Sequence, residues 1–355
     1  MRRLLTLTTL LAGVPLAAPV CAEQVFSFQR AAGQLPKTVV PVSYGINIST
    51  DIDNLKLTGQ ETIQVDVRTP TEDVTLNQAG LHLAGAVLDN GVKATITQDD
   101  AAETATLHFP AKVSKGAHTL VITYSGPILK TPNGIYVDDY TAPSGETKRM
   151  LVTQFEVADA RRMFPGWDEP AFKATFQLNV TLPKEAVAVS NMPVTQSTPE
   201  GTSQKRVSFA TTPRMSTYLL ALVAGDMKSV QGQADGTPLA VYAPSGLEEQ
   251  GEYALHASEK ILPYYNNYFG VKYPLPQMDM VAIPGNYQAG AMENWGLLTY
   301  IDNVLLFDPP NSTPRTRELI YEVVAHEMAH QWSGDLVTMG WWDNIWLNEG
   351  FASWM

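Results

Sequence analysis

Cysteine is almost absent from the chain, which has a single one, Cys21, among its 355 residues. This excludes a disulfide within the chain, so stability must come from an ordinary hydrophobic core, which a chain of this length can provide. Low-complexity runs are also absent. Contents of 45% hydrophobic and 17% charged residues are typical of globular domains and exclude a largely disordered protein.

Basic residues are scarce, with 24 Lys and Arg against 36 Asp and Glu, which gives a formal net charge of −12. Affinity for nucleic acid depends on basic contacts to phosphates, and the sequence contains no basic cluster. Nucleic acid is therefore excluded as an expected partner. Solubility is a sufficient explanation of the acidic balance.

Long apolar runs are confined to the amino terminus, where Met1-Arg2-Arg3 precedes an apolar stretch over residues 4–20 and the small pair Cys21-Ala22. This pattern predicts a secretory signal peptide over residues 1–22, cut after Ala22. The mature protein would then be exported to the periplasm or the medium, without stable insertion into the membrane.

Two other interpretations of this segment are less favoured. Gly13, Pro15 and Pro19 interrupt the run and no charged stop-transfer flank follows, which argues against a transmembrane anchor. Lipid attachment at Cys21 is disfavoured because the three residues before it, Ala18-Pro19-Val20, are a poor match to the sequence that precedes a lipid-attachment cysteine.

From Val39 to about Gly225 the sequence consists of short alternating or β-branched runs separated by Gly, Pro, Asn and Asp. Residues 61–67, 118–124 and 175–182 alternate with the period of two that is typical of strands. We predict an antiparallel β-sandwich domain over residues 23–226.

After residue 226 the pattern changes to a helical stretch near residues 248–269 and a strand-like run over 278–284 that leads to Gly290. An edge strand beside a catalytic cleft is a natural place to bind an extended peptide backbone, which would put Gly290 and Ala291 beside a substrate. The predicted fold class is α+β, with a second domain over residues 227–355.

The motif His326-Glu327-Met328-Ala329-His330 is the strongest chemical signal in the chain. Thr313-Pro314 resembles a helix cap followed by proline at the first helical position, and apolar residues recur after it at helical spacing. On a helix, His326 and His330 share one narrow stripe and can bind one metal ion. Glu327 projects beside that stripe, which suits a base that takes a proton from water. The alternative is a buried helix with two incidental histidines.

A catalytic zinc site needs a third protein ligand and an open position. Glu349 follows His330 after eighteen intervening residues, enough for a turn and an antiparallel return, so we predict that it is the third ligand. Asp343 is expected to cap this second helix. Gly350 is a poor helix former, and a close approach between the two helices would explain its presence.

A further segment, residues 290–296 (GAMENWG), resembles the exopeptidase signature of the aminopeptidase N family of gluzincins. The order and spacing of GAMEN, HEMAH and NEGFA match that family, as do residues 153–156, 160–162, 164–170 and 273–276. The resemblance covers about residue 41 to the last residue. It implies that residues 227–355 form the first part of a thermolysin-like zinc catalytic domain, truncated at its carboxyl end.

The resemblance also implies an activity and a set of site residues. The parent protein would be an aminopeptidase that uses one Zn²⁺ per chain to hydrolyse peptides with a free amino terminus. Glu293, with a carboxylate near the metal, would bind the protonated amine by a charge-assisted hydrogen bond. The other substrate-binding residues would be Gln154, Glu156, Gly290, Ala291, Met292 and Asn294.

Three other functions share part of the pattern: a thermolysin-like endopeptidase, an epoxide-hydrolysing relative, and a secreted binding protein with a decayed metal motif. The spacing to Glu349 and the GAMEN segment argue against the endopeptidase. In the family a tyrosine supports the oxyanion, and its expected place lies past residue 355. The 355-residue chain is therefore expected to have little or no peptidase activity, and to expose the aromatic residues Trp341, Trp342, Trp346, Phe351 and Trp354.

Overall fold

The computed structural model describes residues 26–89, 91–285 and 287–355. The predicted signal peptide, residues 1–22, lies outside the described residues. Within the described ranges, no helix is both long enough and apolar enough to span a membrane.

Strands dominate the first two thirds of the described chain, and helices appear in the last third. The strands are β1 (Val39–Asp51), β2 (Lys56–Val67), β3 (Thr71–Asn77), β4 (His82–Leu88), β5 (Val92–Lys93), β6 (Thr95–Asp99), β7 (Thr104–Val113), β8 (Gly116–Pro127), β9 (Gly134–Thr141), β10 (Thr147–Gln154), β11 (Thr175–Pro183), β12 (Val187–Ser190), β13 (Val194–Glu200), β14 (Gln204–Phe209), β15 (Leu222–Gly225), β16 (Met227–Ala234), β17 (Thr237–Pro244), β18 (Met278–Ile283), β19 (Ala291–Met292) and β20 (Leu297–Ile301). The helices are α1 (Glu252–Phe269), α2 (Pro314–His330) and α3 (Ile345–Trp354). The α+β prediction is confirmed.

Strands β1 to β15 form three sheets. The largest has the order β13-β14-β11-β1-β2-β8-β4-β5, a second has the order β12-β15-β10-β9, and a third has the order β3-β7-β6. Side chains of β2 alternate between buried and more exposed positions, so Leu57, Ile63 and Val65 enter the core as the period of two predicts.

Glu61 occupies one of these inward positions and is fully buried. Neither of its carboxylate oxygens has a hydrogen-bond partner among the described residues. Burial disfavours the charged form, so the pKa of Glu61 lies well above its usual range. The core of the largest sheet therefore contains an acid whose neutral form is favoured by burial.

The largest sheet is not purely antiparallel, which differs from the predicted antiparallel sandwich. Strands β1 and β11 pair in parallel, with Ser43 opposite Thr175 and Ser49 opposite Thr181. More than a hundred residues separate the two strands in sequence, and periodicity within each strand carries no information on their relative direction. Antiparallel pairing does hold between β1 and β2 and between β2 and β8.

Strands β16 to β20 form a five-stranded sheet with the order β16-β17-β18-β20-β19. Strand β18 lies at the centre and pairs in parallel with β17 and β20, so the expectation that it forms an edge is wrong. All six residues of β18 are buried, which explains why its sequence is a continuous apolar run around Asp279. The edge strands are β16 and β19, and β19 places Ala291 and Met292 at the rim of the sheet.

Helices α1 and α2 pack against each other beside this sheet. The hydroxyl of Tyr265 on α1 donates a hydrogen bond to the carbonyl of Ala325 on α2, at 3.0 Å. Trp332, just after α2, stacks on Phe269 with ring centroids 5.0 Å apart. These contacts fix the position of the helix that contains the histidine motif.

Candidate metal centre

Helix α2 begins where the sequence predicts. The Thr313 hydroxyl accepts the backbone N–H of Thr316, the Thr316 hydroxyl accepts the N–H of Thr313, and Pro314 occupies the first turn. Ile320 and Val324 are fully buried, so the opposite side of the helix faces a cleft. The capped and packed helix places His326 and His330 one turn apart on that side.

The structure brings His326, His330 and Glu349 together. The two Nε2 atoms lie 3.0 Å apart, and Glu349 places one carboxylate oxygen 3.3 Å from His326 Nε2 and the other 3.7 Å from His330 Nε2. Ligands about 2.1 Å from a tetrahedral zinc ion stand about 3.4 Å from one another, so this spacing fits zinc. Two imidazoles and one carboxylate form a known catalytic zinc set that leaves a fourth position open.

Asn348 contacts the candidate ligand group, and our sequence interpretation missed it. Its side-chain oxygen lies 2.9 Å from His330 Nδ1, and its amide donates to Glu293 Oε1 at 3.0 Å. The His330 Nδ1 atom also lies 3.1 Å from the carbonyl of Ser333, so Nδ1 carries the proton and Nε2 faces the ligand group. Asn348 thereby links the metal ligands to the proposed amine-binding carboxylate.

The close approach beside α3 occurs at Gly334 and not at Gly350. A Cβ atom at Gly334, where φ is +147°, would lie 2.4 Å from Asn348 Oδ1. A Cβ atom at Gly350 would meet nothing within 4 Å, so the explanation offered for that glycine is wrong. Gly334 gives the backbone the freedom and the space that bring Asn348 to His330.

The expected cap at Asp343 is also wrong. A 3-10 turn, Trp342–Asn344, precedes α3, and the helix begins at Ile345 without a side-chain cap. The start of α3 is therefore fixed by packing and by the turn, which sequence capping rules do not detect.

The segment containing Gly290, Ala291 and Glu293 forms one wall of the cleft. Ala291 pairs with Tyr300 in β20, and the carbonyl of Glu293 accepts a hydrogen bond from Gln331 Nε2 at 2.9 Å. The Glu293 side chain is 2% exposed. Its position is thus fixed by both the sheet and the residue that follows His330.

Met292 and Asn294 lie behind this wall. Both are buried, and the Asn294 amide donates to Thr299 Oγ1 at 3.1 Å. Neither residue lines the cleft, whereas Gly290, Ala291 and Glu293 do. Met292 and Asn294 are therefore placed to support the wall, and their predicted role in substrate binding stays a prediction.

Gln154 and Glu156 come from the end of β10 and line the opposite wall. Gln154 accepts a hydrogen bond from the Tyr287 hydroxyl at 2.5 Å, and that hydroxyl lies 2.8 Å from Thr299 Oγ1. Glu156 Oε1 is buried and has no hydrogen-bond partner among the described residues. The contact of Tyr287 with Gln154 could not be predicted from the sequence, since no motif or spacing connects the two residues.

Negative charge is concentrated in the cleft. Burial, with the nearby Glu293 and Glu349 carboxylates, raises the pKa of Glu156 to about 8. Burial also raises the pKa of Glu327, although His330 opposes this shift. Hydrogen bonds from His326 and His330 lower the pKa of Glu349 to about 2.

His330 balances part of this negative charge. Burial alone would lower the pKa of its imidazole, but Glu293, Glu349 and Glu327 outweigh burial and raise that pKa well above the usual range. These four glutamates, together with Glu322 and the two histidines, are among the residues that line a cavity of 610 Å³. The site therefore favours positive charge, which both a divalent cation and a protonated amine supply.

Comparison with known families identifies the chain. A family model described as the peptidase M1 N-terminal domain matches residues 40–219, and one described as the peptidase family M1 domain matches residues 253–355. The chain belongs to peptidase family M1. This confirms the resemblance drawn from the GAMEN and HEMAH segments.

Several M1 proteins are similar to the chain over most of its length. Aminopeptidase M1-A of Oryza sativa subsp. japonica is 42% identical over 343 residues, which is 94% of this chain and 39% of that protein. Aminopeptidase M1 of Arabidopsis thaliana is 41% identical, with 91% and 37% covered, and endoplasmic reticulum aminopeptidase 2 of Bos taurus is 38% identical, with 96% and 37% covered. The chain thus spans less than two fifths of the length of these M1 relatives.

Proposed function

We propose that the chain provides the zinc-binding and amine-binding residues of an aminopeptidase. One observation carries this proposal: Glu156, Glu293 and Glu349 place carboxylate oxygens within 4.8 Å of one another, and Glu349 also belongs to the group with His326 and His330. A peptide amine bound by Glu156 and Glu293 would therefore lie next to the metal ligands. An amine bound there would place the bond after the first residue of a peptide beside the ligand group.

His326, His330 and Glu349 would hold one Zn²⁺ per chain. When bound there, zinc would supply a Lewis acid that polarises the peptide carbonyl and makes water acidic near neutral pH. Asn348 would keep the His330 ring in the tautomer that presents Nε2 to the ion.

Glu327 would act as the general base and then as the general acid. It is buried beside the ligand stripe and lines the cleft, so it can accept a proton from the attacking water and donate it to the leaving amine. Burial raises its pKa in the metal-free chain, and a divalent cation on the neighbouring histidines would favour the ionised, basic form.

We also propose that the protein is exported to the periplasm or the medium, because residues 1–22 have the pattern of a signal peptide. Immunodetection in cell fractions, with determination of the mature amino terminus, tests this proposal. A protein retained in the cytoplasm with Met1 intact would contradict it.

The 355 residues alone are proposed to have little peptidase activity. Trp346, Phe351 and Trp354 on α3 are 64%, 48% and 72% exposed, so the helix that carries Glu349 packs on one side only. Trp341 and Trp342 are partly buried, with Trp342 against Tyr218, so the expected exposure of these two residues is wrong. Hydrolysis of an aminoacyl anilide by the purified 355-residue chain at rates typical of enzymes would contradict this proposal.

The central test combines metal content with activity in a longer M1 chain that includes these residues. We expect one zinc per chain, loss of this zinc in the triple variant His326→Ala/His330→Ala/Glu349→Ala, and hydrolysis of an aminoacyl anilide but not of its acetylated form. Zinc retained at full stoichiometry by the triple variant would overturn the ligand assignment. Equal hydrolysis of the acetylated substrate would overturn the aminopeptidase assignment.

A further inference from the structure

The geometry of the ligand set depends on the joining loop, residues 331–344, which connects His330 on α2 to α3. Apart from an isolated bridge between Ser333 and Val337 and the 3-10 turn before α3, this loop has no regular structure. Hydrogen bonds within the loop, such as those from the Gly334 N–H to the Val337 carbonyl and from the Val337 N–H to the Trp332 carbonyl, give it a local shape. Contacts with other parts of the chain then set where the loop lies, and with it the start of the helix that carries Glu349.

Two of these contacts come from the part of the chain before β16, where strands dominate. Lys173, at the start of β11, donates a hydrogen bond to the carbonyl of Asp335 at 3.3 Å, and the N–H of Asp335 donates to the carbonyl of His330 at 3.0 Å. Tyr218 packs edge-on against Trp342 with ring centroids 5.3 Å apart. The joining loop is thus contacted at two points, Asp335 and Trp342, by residues that precede β16.

A third contact comes from the strap, residues 26–37, which precedes β1. The Phe26 ring lies against Gly340 in the middle of the joining loop. A Cβ atom at Gly340 would be 3.1 Å from Phe26 Cε2 and 3.9 Å from the Cβ of Ala31. The strap therefore contacts the joining loop at Gly340, between the points held by Lys173 and Tyr218.

Glu169 holds the strap in this position. Its Oε1 atom accepts the backbone N–H groups of Gln34 and Leu35, both at 2.7 Å. A Cβ atom at Gly33 would lie 2.4 Å from the other carboxylate oxygen, so glycine is the residue that lets the strap approach so closely. Two backbone bonds to one carboxylate fix the path of the strap.

Phe28 provides a second anchor. Its ring packs edge-on against Phe172 at 5.0 Å, and the cationic groups of Lys37 and Arg68 lie 5.2 Å and 4.8 Å from its centroid. Phe172 directly precedes Lys173, so the strap and the joining loop are held by the same short segment.

We propose that the strap is a positioning element for the ligand set, which holds the joining loop so that Glu349 meets His326 and His330. The inference rests on the proposed zinc site. Glu169 and Phe26 are its positioning residues, and neither contacts the metal ligands or the cleft.

The test uses Glu169→Ala, which removes the oxygen that accepts both bonds, and Glu169→Gln, which retains one side-chain oxygen that can accept them. Zinc affinity is measured by competition with a chelator, and hydrogen exchange of residues 335–344 is measured in the metal-free chain. We expect Glu169→Ala to bind zinc about tenfold more weakly and its joining loop to exchange faster, with substantial recovery in Glu169→Gln.

Phe26→Ala should produce the same two changes, because it removes the contact with Gly340 directly. Gly85→Ala is the control, since a Cβ atom there meets nothing within 4 Å and the site lies in β4, which three strands separate from β11 in the largest sheet. We expect this control to match the unmodified chain in both measurements.

Unchanged zinc affinity and loop exchange in Glu169→Ala, with faster exchange at Gln34 and Leu35, would overturn the inference, because the strap would then be released without effect. If the unmodified chain binds no zinc, the proposed function fails instead. The exchange of residues 335–344 still reports on the strap in that case, so the two failures are distinguishable.

Discussion

Asn348→Ala offers the most direct test of how the ligand set is organised. The substitution removes the contact to His330 Nδ1 at 2.9 Å and the hydrogen bond to Glu293 at 3.0 Å, both in a buried environment. A neutral hydrogen bond contributes about 1 kcal/mol and one to a charged group about 1.5–3 kcal/mol. We therefore expect the free energy of unfolding to fall by about 3 kcal/mol.

The same substitution should weaken zinc binding. Loss of a partner that fixes the ring of a metal-binding histidine typically costs about 10–100-fold in affinity, because the ring is then free to rotate and to change tautomer. Zinc affinity can be measured by competition with a chromogenic chelator, and stability by chemical denaturation of the metal-free chain. The two measurements separate the metal effect from the folding effect.

Asn311→Ala is a suitable control, because Asn311 forms one exposed hydrogen bond, to Asp308 at 2.7 Å, outside the cleft. This control should leave both the zinc affinity and the free energy of unfolding close to those of the unmodified chain. Zinc affinity of Asn348→Ala within twofold of that of the control would refute the role assigned to Asn348.

Three further predictions follow from single side chains. Glu327→Gln should retain zinc but lose most turnover, since an amide cannot accept the proton of water, and near-normal hydrolysis would exclude Glu327 as the base. Glu293→Ala should reduce hydrolysis of peptides with a free amino terminus much more than it reduces zinc content, and a parallel loss of both would assign Glu293 to the metal instead. For Glu61, burial raises the pKa of the carboxyl in the folded state above the unfolded value of about 4.5. The contribution of Glu61 to the free energy of unfolding is therefore most favourable below that pH and is lost as the pH rises. The free energy of unfolding of the wild type should therefore fall relative to that of Glu61→Gln by up to about 1.4 kcal/mol per pH unit above this point, and equal pH slopes in the two proteins would contradict the neutral state of Glu61.

Short-range patterns predicted the elements that depend on short-range physics. The Thr313-Pro314 start of α2, the alternating strand of residues 61–67 and the helix near residues 248–269 all rest on capping, periodicity or turn chemistry, and the structure contains each of them. The spacing between His330 and Glu349 predicted a turn and a return of suitable length, and the structure brings Glu349 to the two histidines. The contacts of Lys173, Tyr218 and Phe26 with the joining loop gave no such short-range signal.

Features that depend on contacts between residues distant in sequence could not be predicted from short-range patterns. The parallel pairing of β1 with β11, the central place of β18 and the hydrogen bond from Tyr287 to Gln154 each join segments whose own sequences do not specify the partner. Asn348 was missed for a different reason, because its neighbour Glu349 accounts for the spacing and an adjacent amide has no periodic signal. The prediction for Gly350 was wrong because low helix propensity does not show how closely a second helix approaches the glycine.

The parallel pair of β1 and β11 has a consequence for the order of folding. Strand β2 follows β1 directly and can pair with it early, whereas the opposite edge of β1 stays open until β11 has been synthesised, more than a hundred residues later. An open strand edge is a template for pairing with another chain. Chains truncated before residue 175 should therefore associate through this edge. Their refolding yield should fall steeply as their concentration rises.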